Sequence, residues 1–108
     1  MPIRSLSPKE VTELRSASAE PVVLLDVREP WEYERVHLPD TLHIPMDEIR
    51  ERLNELNPGQ TYVVVCHHGN RSQQVAAFLQ SYGFSKVINL AGGIEAWASS
   101  LEPDLPRY

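Results

Sequence analysis

The chain has 108 residues, 42% of them hydrophobic and 23% charged, a balance that excludes disordered and fibrous classes and fits one domain able to bury its own core. A formal net charge of −5 argues against nucleic acid or anionic membrane as the main partner, because no general positive field draws either in. The single cysteine, Cys66, excludes an internal disulfide, zinc fingers, iron–sulfur clusters and Cys-x-x-Cys redox pairs, and leaves a thiol that is either structural or reactive.

In chain order, residues 3–6 read as a short edge strand. Ser7-Pro8-Lys9-Glu10 then supplies a hydroxyl N-cap, a proline at the first helical position and a glutamate at the third, which predicts a helix through Ala17. The opening residues lead into this signal without the apolar stretch of a secretion signal, so a cytoplasmic, reducing location is expected. Pro21 introduces Val22 to Val27, apolar at consecutive rather than alternate positions, as in a central parallel strand covered on both faces. Glu29 to Tyr33 has the proline and acids of a helical first turn, and Thr41 to Ile44 is a short β-branched strand ended by Pro45. Met46 to Leu56 places Ile49, Leu53 and Leu56 on one helical face. After the turn at 57–60, Thr61 to Val65 is a second strand buried on both faces.

The loop Cys66-His67-His68-Gly69-Asn70-Arg71-Ser72 leads into a helix from Ser72 to Tyr82, whose Val75, Ala76, Phe78 and Leu79 form an apolar stripe ended by Gly83. Val87 to Leu90 is a further strand, and Ala91-Gly92-Gly93 begins a last helix carrying Trp97. Strands alternating with helices predict an α/β domain with a parallel sheet, spanning residues 1–101, followed by a loosely held, proline-containing tail over 102–108. Its apolar runs, Val22 to Leu25 and Tyr62 to Cys66, fall far short of the roughly 20 residues that span a bilayer. In such sheets the functional crevice lies beyond the carboxyl ends of the strands, and Cys66 occupies one of those ends.

None of the fifteen acids lies between Leu56 and Ile94, a stretch that keeps Arg71, Lys86, His67 and His68. The surroundings of Cys66 are therefore expected to be cationic in an acidic chain. A glycine-bearing loop between strand and helix turns its N–H groups inward, and the following helix adds roughly half a positive charge at its N-terminus. Such an anion cradle favours thiolate over thiol: an ordinary cysteine near pKa 8.5 is about 3% ionised at pH 7, whereas one lowered to about 6.5 is mostly ionised, a gain of about 2.7 kcal/mol.

Four motifs in register extend this reading: Asp26-Val27-Arg28-Glu29-Pro30-Trp31-Glu32-Tyr33, His37-Leu38-Pro39 with Ile44-Pro45, the Cys66 loop, and Leu90-Ala91-Gly92-Gly93-Ile94-Glu95-Ala96-Trp97. Together they resemble the single-domain rhodanese sulfurtransferases over nearly the whole chain. The resemblance implies a five-stranded parallel sheet flanked by helices on both faces. It further implies a ping-pong reaction in which Cys66 takes a sulfane sulfur from thiosulfate or a persulfide and passes it to cyanide, a small thiol or a protein thiol, with no cofactor and no metal. Arg71 would orient the donor anion, and His67, His68, Gly69, Asn70 and Ser72 would supply loop amides and side chains around the transferred sulfur. Val36 and Asp40 stand where the family often has glycine.

Related cell-cycle phosphatases carry a longer loop between cysteine and arginine, wide enough to encircle a phosphoryl group; the four residues between Cys66 and Arg71 suit a single sulfur atom better. Phosphatase or arsenate reductase activity and a non-catalytic binding module remain the alternatives. The bland readings are that Cys66 is a small buried hydrophobe, Arg71 a surface ion pair and the histidines solvated; the glycine, the arginine and the cationic surroundings turn the reading of Cys66 toward a nucleophile. Asp26 and Arg28 either support the loop and crevice or form a local ion pair. Glu32, Glu34 and His37 either brace the loop or lie solvated, and Trp31 and Trp97 are expected to pack against the core.

Overall fold

The computed structural model describes residues 3–108; Met1 and Pro2 lie outside the described residues. Strands β1 (Arg4–Leu6), β2 (Val22–Asp26), β3 (Thr41–His43), β4 (Thr61–Val65) and β5 (Val87–Leu90) alternate with helices α1 (Pro8–Ala17), α2 (Pro30–Arg35), α3 (Asn70–Ser81) and α4 (Gly93–Ser100). The strands form one parallel sheet in the order β1-β5-β4-β2-β3. Consecutive apolar residues on the central strands divide between the two faces. Leu25 and Val64 join Ile49, Leu56, Val75 and Leu79 in one cluster, whereas Leu24, Val63 and Val65 join Val11, Ile94 and Trp97 in the other. A run apolar at every position therefore becomes a strand buried on both sides, with α3 over one face and α1 and α4 over the other.

Local signals set the helix ends. The Ser7 hydroxyl accepts from the Glu10 N–H at 3.2 Å and the Glu10 carboxylate accepts from the Ser7 N–H at 2.9 Å, closing the capping box, with Pro8 at the first helical position. Asp40 occupies the left-handed region at φ 57°, a conformation that an aspartate tolerates better than most side chains, so the turn after Pro39 forms without a glycine there.

Two expectations are corrected. Residues 46–56 do not form a continuous helix but two 3-10 turns, Met46–Glu48 and Leu53–Glu55. This connector is tied down at both ends, by the Met46 N–H on the Val27 carbonyl at 2.9 Å and the Asn57 N–H on the Tyr62 hydroxyl at 2.9 Å. Tertiary anchoring overrides the helical pattern, while Ile49 and Leu56 still reach the core as the spacing predicts. The tail is not loose at its far end. Leu105 and Tyr108 pack against the second cluster, and the Tyr108 hydroxyl is hydrogen-bonded to Arg28 and Glu32. Among the described residues no helix is long and apolar enough to cross a membrane.

Candidate active site

Cys66 follows β4 at the carboxyl end of the sheet and is 1% exposed, packed into the first cluster. Burial alone suits a structural cysteine; the polar groups aimed at its sulfur do not. The Gly69 N–H donates to Sγ at 3.0 Å, and the Ser72 hydroxyl lies 3.2 Å from it. Gly69 caps α3 at φ 100°, where a Cβ would press to 3.1 Å on the Gly92 nitrogen. Glycine is what lets this loop turn its amide back onto the sulfur.

The loop is held from behind by the turn between β5 and α4. Gly93, at φ 62°, lies so close that a Cβ would come within 2.4 Å of the Cys66 and His67 carbonyl oxygens. Those carbonyls accept the first N–H groups of α4, from Ile94 at 2.8 Å and Glu95 at 3.1 Å. Beneath the sulfur, the Ser72 hydroxyl donates to Asn89 Oδ1, and Asn89 Nδ2 donates to Ser5 Oγ at 3.3 Å. The sulfur thus sits on a polar chain running from buried Ser72 of α3 through buried Asn89 of β5 to exposed Ser5 of β1.

Arg71, in the first turn of α3, meets Glu32 of α2 in a two-pronged pair, Nη1 to Oε1 at 2.6 Å and Nη2 to Oε2 at 2.9 Å. The Arg71 side chain is 34% exposed and that of Glu32 4%. Glu32 also accepts from the Glu29 N–H at 2.9 Å and from the Tyr108 hydroxyl at 2.8 Å. Burial works against ionising Glu32, but Arg71, the Glu29 N–H and the Tyr108 hydroxyl outweigh it and hold the carboxyl down at about 2. The Glu32 hydrogen bonds in turn raise the pKa of Arg71 against the pull of desolvation, with smaller contributions from the charges of Glu32 and Cys66. Of the three residues offered as braces, Glu32 is one; Glu34 is exposed, and His37 bonds the Tyr33 carbonyl at 2.7 Å.

Asp26 and Arg28 form a fully buried ion pair at 2.8 Å behind the site. Asp26 accepts from the Arg28 backbone and guanidinium, and Arg28 reaches the Glu32 and Val36 carbonyls and Tyr108. It is the ion-pair reading of these residues that the geometry follows: among the described residues their hydrogen bonds reach none of the loop amides. His67 stacks between His68 and Tyr108, each pair with centroids 4.0 Å apart. Burial, and then the neighbouring His68, push the His67 pKa below its ordinary value despite Glu32 and Glu95. Asn70 opens α3 with its side chain exposed.

Two further expectations are corrected here. Trp97 packs in the core, but Trp31 is 60% exposed, standing edge-on to Tyr108 at 5.7 Å. At the second position of α2 it faces outward, the inward position going to Glu32. The surroundings of Cys66 are not simply cationic either, because folding brings Glu32 against Arg71 and places Glu95 3.9 Å from His67. Tyr108 and Asn89 were not singled out from sequence. A lone amide inside the apolar strand Val87–Leu90 is a readable signal for Asn89; nothing local marks Tyr108.

The rhodanese-like domain matches residues 7–100. The chain is 38% identical over 97 residues to the thiosulfate sulfurtransferase GlpE of Pseudomonas syringae pv. syringae, covering 90% of this chain and 89% of that protein. It is 42% identical over 85 residues to YrkF of Bacillus subtilis, covering 79% of this chain but only 46% of that longer protein. A rhodanese-related protein from Thermoplasma volcanium superposes with a TM-score of 0.82 at 33% identity, covering 93% of this chain and 95% of that one. With the family match spanning strands β2 to β5, the cysteine loop and the glycine turn that supports it, this chain belongs to the rhodanese-like family.

Proposed function

We propose that the protein is a sulfurtransferase in which Cys66 carries a sulfane sulfur between a donor and a thiophilic acceptor. The observation that carries this reading is the recessed sulfur with an N–H already aimed at it, that of Gly69 at 3.0 Å. A fixed donor at a buried sulfur stabilises negative charge there without reorganising when it develops. In the donor half-reaction the Cys66 thiolate forms a bond to the outer sulfur of thiosulfate or of a persulfide. The donor's S–S bond breaks, sulfite or a thiolate leaves with the electron pair, and Cys66 becomes a persulfide. In the second half-reaction the acceptor, cyanide, a small thiol or a protein thiol, attacks that outer sulfur and Cys66 leaves as thiolate.

The loop from His67 to Ser72 serves as the anion site, with Arg71 keeping 34% of its side chain open to an approaching donor while Glu32 holds both its terminal nitrogens. The narrow loop and the depth of Cys66 favour a slim terminal sulfur over a phosphoryl group. The homology to GlpE, a thiosulfate sulfurtransferase, supports the same class of reaction. Cys66→Ser is expected to abolish thiocyanate formation from sulfane donors and cyanide while leaving the circular dichroism spectrum unchanged. Retained activity would remove the nucleophile assignment, and fast turnover of an aryl phosphate through Cys66 would replace sulfur transfer with phosphatase chemistry.

A further inference from the structure

The charge around the sulfur is compensated before any donor arrives. Glu32 takes both guanidinium nitrogens of Arg71 at 2.6 and 2.9 Å and is itself nearly buried, so it cannot swing into solvent when an anion approaches. Two further bonds, from the Glu29 N–H and the Tyr108 hydroxyl, fix it in place. The second guanidinium behind the site, that of Arg28, is matched by Asp26. On the other side of the loop Glu95 adds negative charge beside His67, partly offset by Arg107 at 2.6 Å. What is left uncompensated around the sulfur is the Gly69 N–H and the amino end of α3, a set suited to the single negative charge of the sulfur itself.

From this geometry, and resting on the sulfur-transfer reading above, we infer that Glu32 sets the donor class: the site draws its sulfur from an organic persulfide and discriminates against the dianion thiosulfate. With a protonated persulfide, the Cys66 thiolate bonds to the outer sulfur and the donor's S–S bond breaks. The leaving thiolate takes the electron pair and then the proton from the transferred sulfur, giving a Cys66 persulfide anion and a free thiol. Net charge in the site stays at one negative throughout. Thiosulfate and the Cys66 thiolate together bring three negative charges, and the sulfite that leaves carries two of them past a guanidinium already claimed by a carboxylate. Like charge at a few ångströms, in surroundings less polar than water, is costly enough to discriminate.

The test measures loading of the full chain by intact-protein mass spectrometry with three donors that differ in charge: thiosulfate, the methanethiosulfonate anion, and a persulfide of a neutral alkyl thiol. Each rate is divided by that of the same donor with a free small thiolate, which removes intrinsic reactivity. In the wild-type protein the normalised rates should rise from thiosulfate through methanethiosulfonate to the persulfide, with about tenfold or more between the ends. Added salt should narrow that gap. In Glu32→Gln the ratio of persulfide to thiosulfate loading should fall by about tenfold, and that to methanethiosulfonate by about threefold.

An unchanged ratio in a folded Glu32→Gln protein would overturn the inference. So would thiosulfate leading after normalisation in the wild type, a result that needs no variant. Equal normalised rates for all three donors in the wild-type protein would remove the donor assignment alone, whereas failure of every donor to load Cys66 would remove the sulfur-transfer reading with it.

Discussion

Two arginine–carboxylate pairs meet the same Tyr108 hydroxyl and do different work. Asp26–Arg28 has no solvent exposure on either side chain, and Arg28 spends its remaining donors on the Glu32 and Val36 carbonyls and on Tyr108. Glu32–Arg71 buries its acid but leaves a third of the arginine side chain open. The chemistry of the two pairs is the same; exposure separates them. A sealed pair ties the end of β2 to the α2 segment, while a half-open one sets the charge near the Cys66 sulfur. They are also linked, because the Tyr108 hydroxyl accepts from Arg28 and donates to Glu32.

Removing one arginine at a time should separate these roles most widely. Arg28→Leu strands the Asp26 carboxylate in the core and is expected to cost about 3–5 kcal/mol in urea unfolding. Arg71→Ala leaves Glu32 with the Glu29 N–H and Tyr108, so its stability cost should be nearer about 1–2 kcal/mol. Its loading by the thiosulfate dianion should instead slow about 10- to 100-fold, the worth of a hydrogen bond to a charged group, with Glu32 left uncompensated. If the two variants exchange behaviour, Arg71 being structural and Arg28 kinetic, the division drawn between the pairs fails.

The pH dependence of stability probes the link between them. Glu32 titrates near 2 when folded against an ordinary 4.5, so its contribution is fully present above about 4.5 and lost as pH falls through about 2. Glu32→Gln should flatten that acid limb, which is worth on the order of 3 kcal/mol at most. Tyr108 titrates the other way. Burial raises its hydroxyl to about 12, with Arg28 opposing and Glu32 assisting, so its contribution is present below about 10 and lost as pH rises through about 12. Tyr108→Phe should remove this smaller alkaline limb; an undiminished limb in that variant would mean the tail does not hold Glu32 in solution.

The two pairs also mark where sequence reasoning reaches and where it stops. The central strands, the Ser7 cap, the helix after the cysteine loop and the glycine turn before α4 are local in origin, governed by apolar runs, caps and positive φ, and each lies close to where the pattern puts it. Cys66 and the Gly69 turn were legible for the same reason. The partner of Arg71 was not, since Glu32 is 39 residues away and its position on α2 reads equally well as a solvated face. Tyr108, 76 residues from Glu32, lies in a proline-containing segment with no periodicity to predict a contact. The acid-free stretch from Leu56 to Ile94 misled because charge along the chain is not charge in space: α2 and α4 bring Glu32 and Glu95 back to the site. Residues 46–56 failed as a helix because their conformation is fixed by anchors at both ends of the connector, which no window on the segment itself contains.

The most direct measurement is intact-protein mass spectrometry of the full chain after mixing with an alkyl persulfide. The account predicts one added sulfur atom, located on Cys66 by the failure of Cys66→Ser to gain it, and released as thiocyanate when cyanide is added. A chain that gains no sulfur from any sulfane donor, or gains it equally without Cys66, would contradict it.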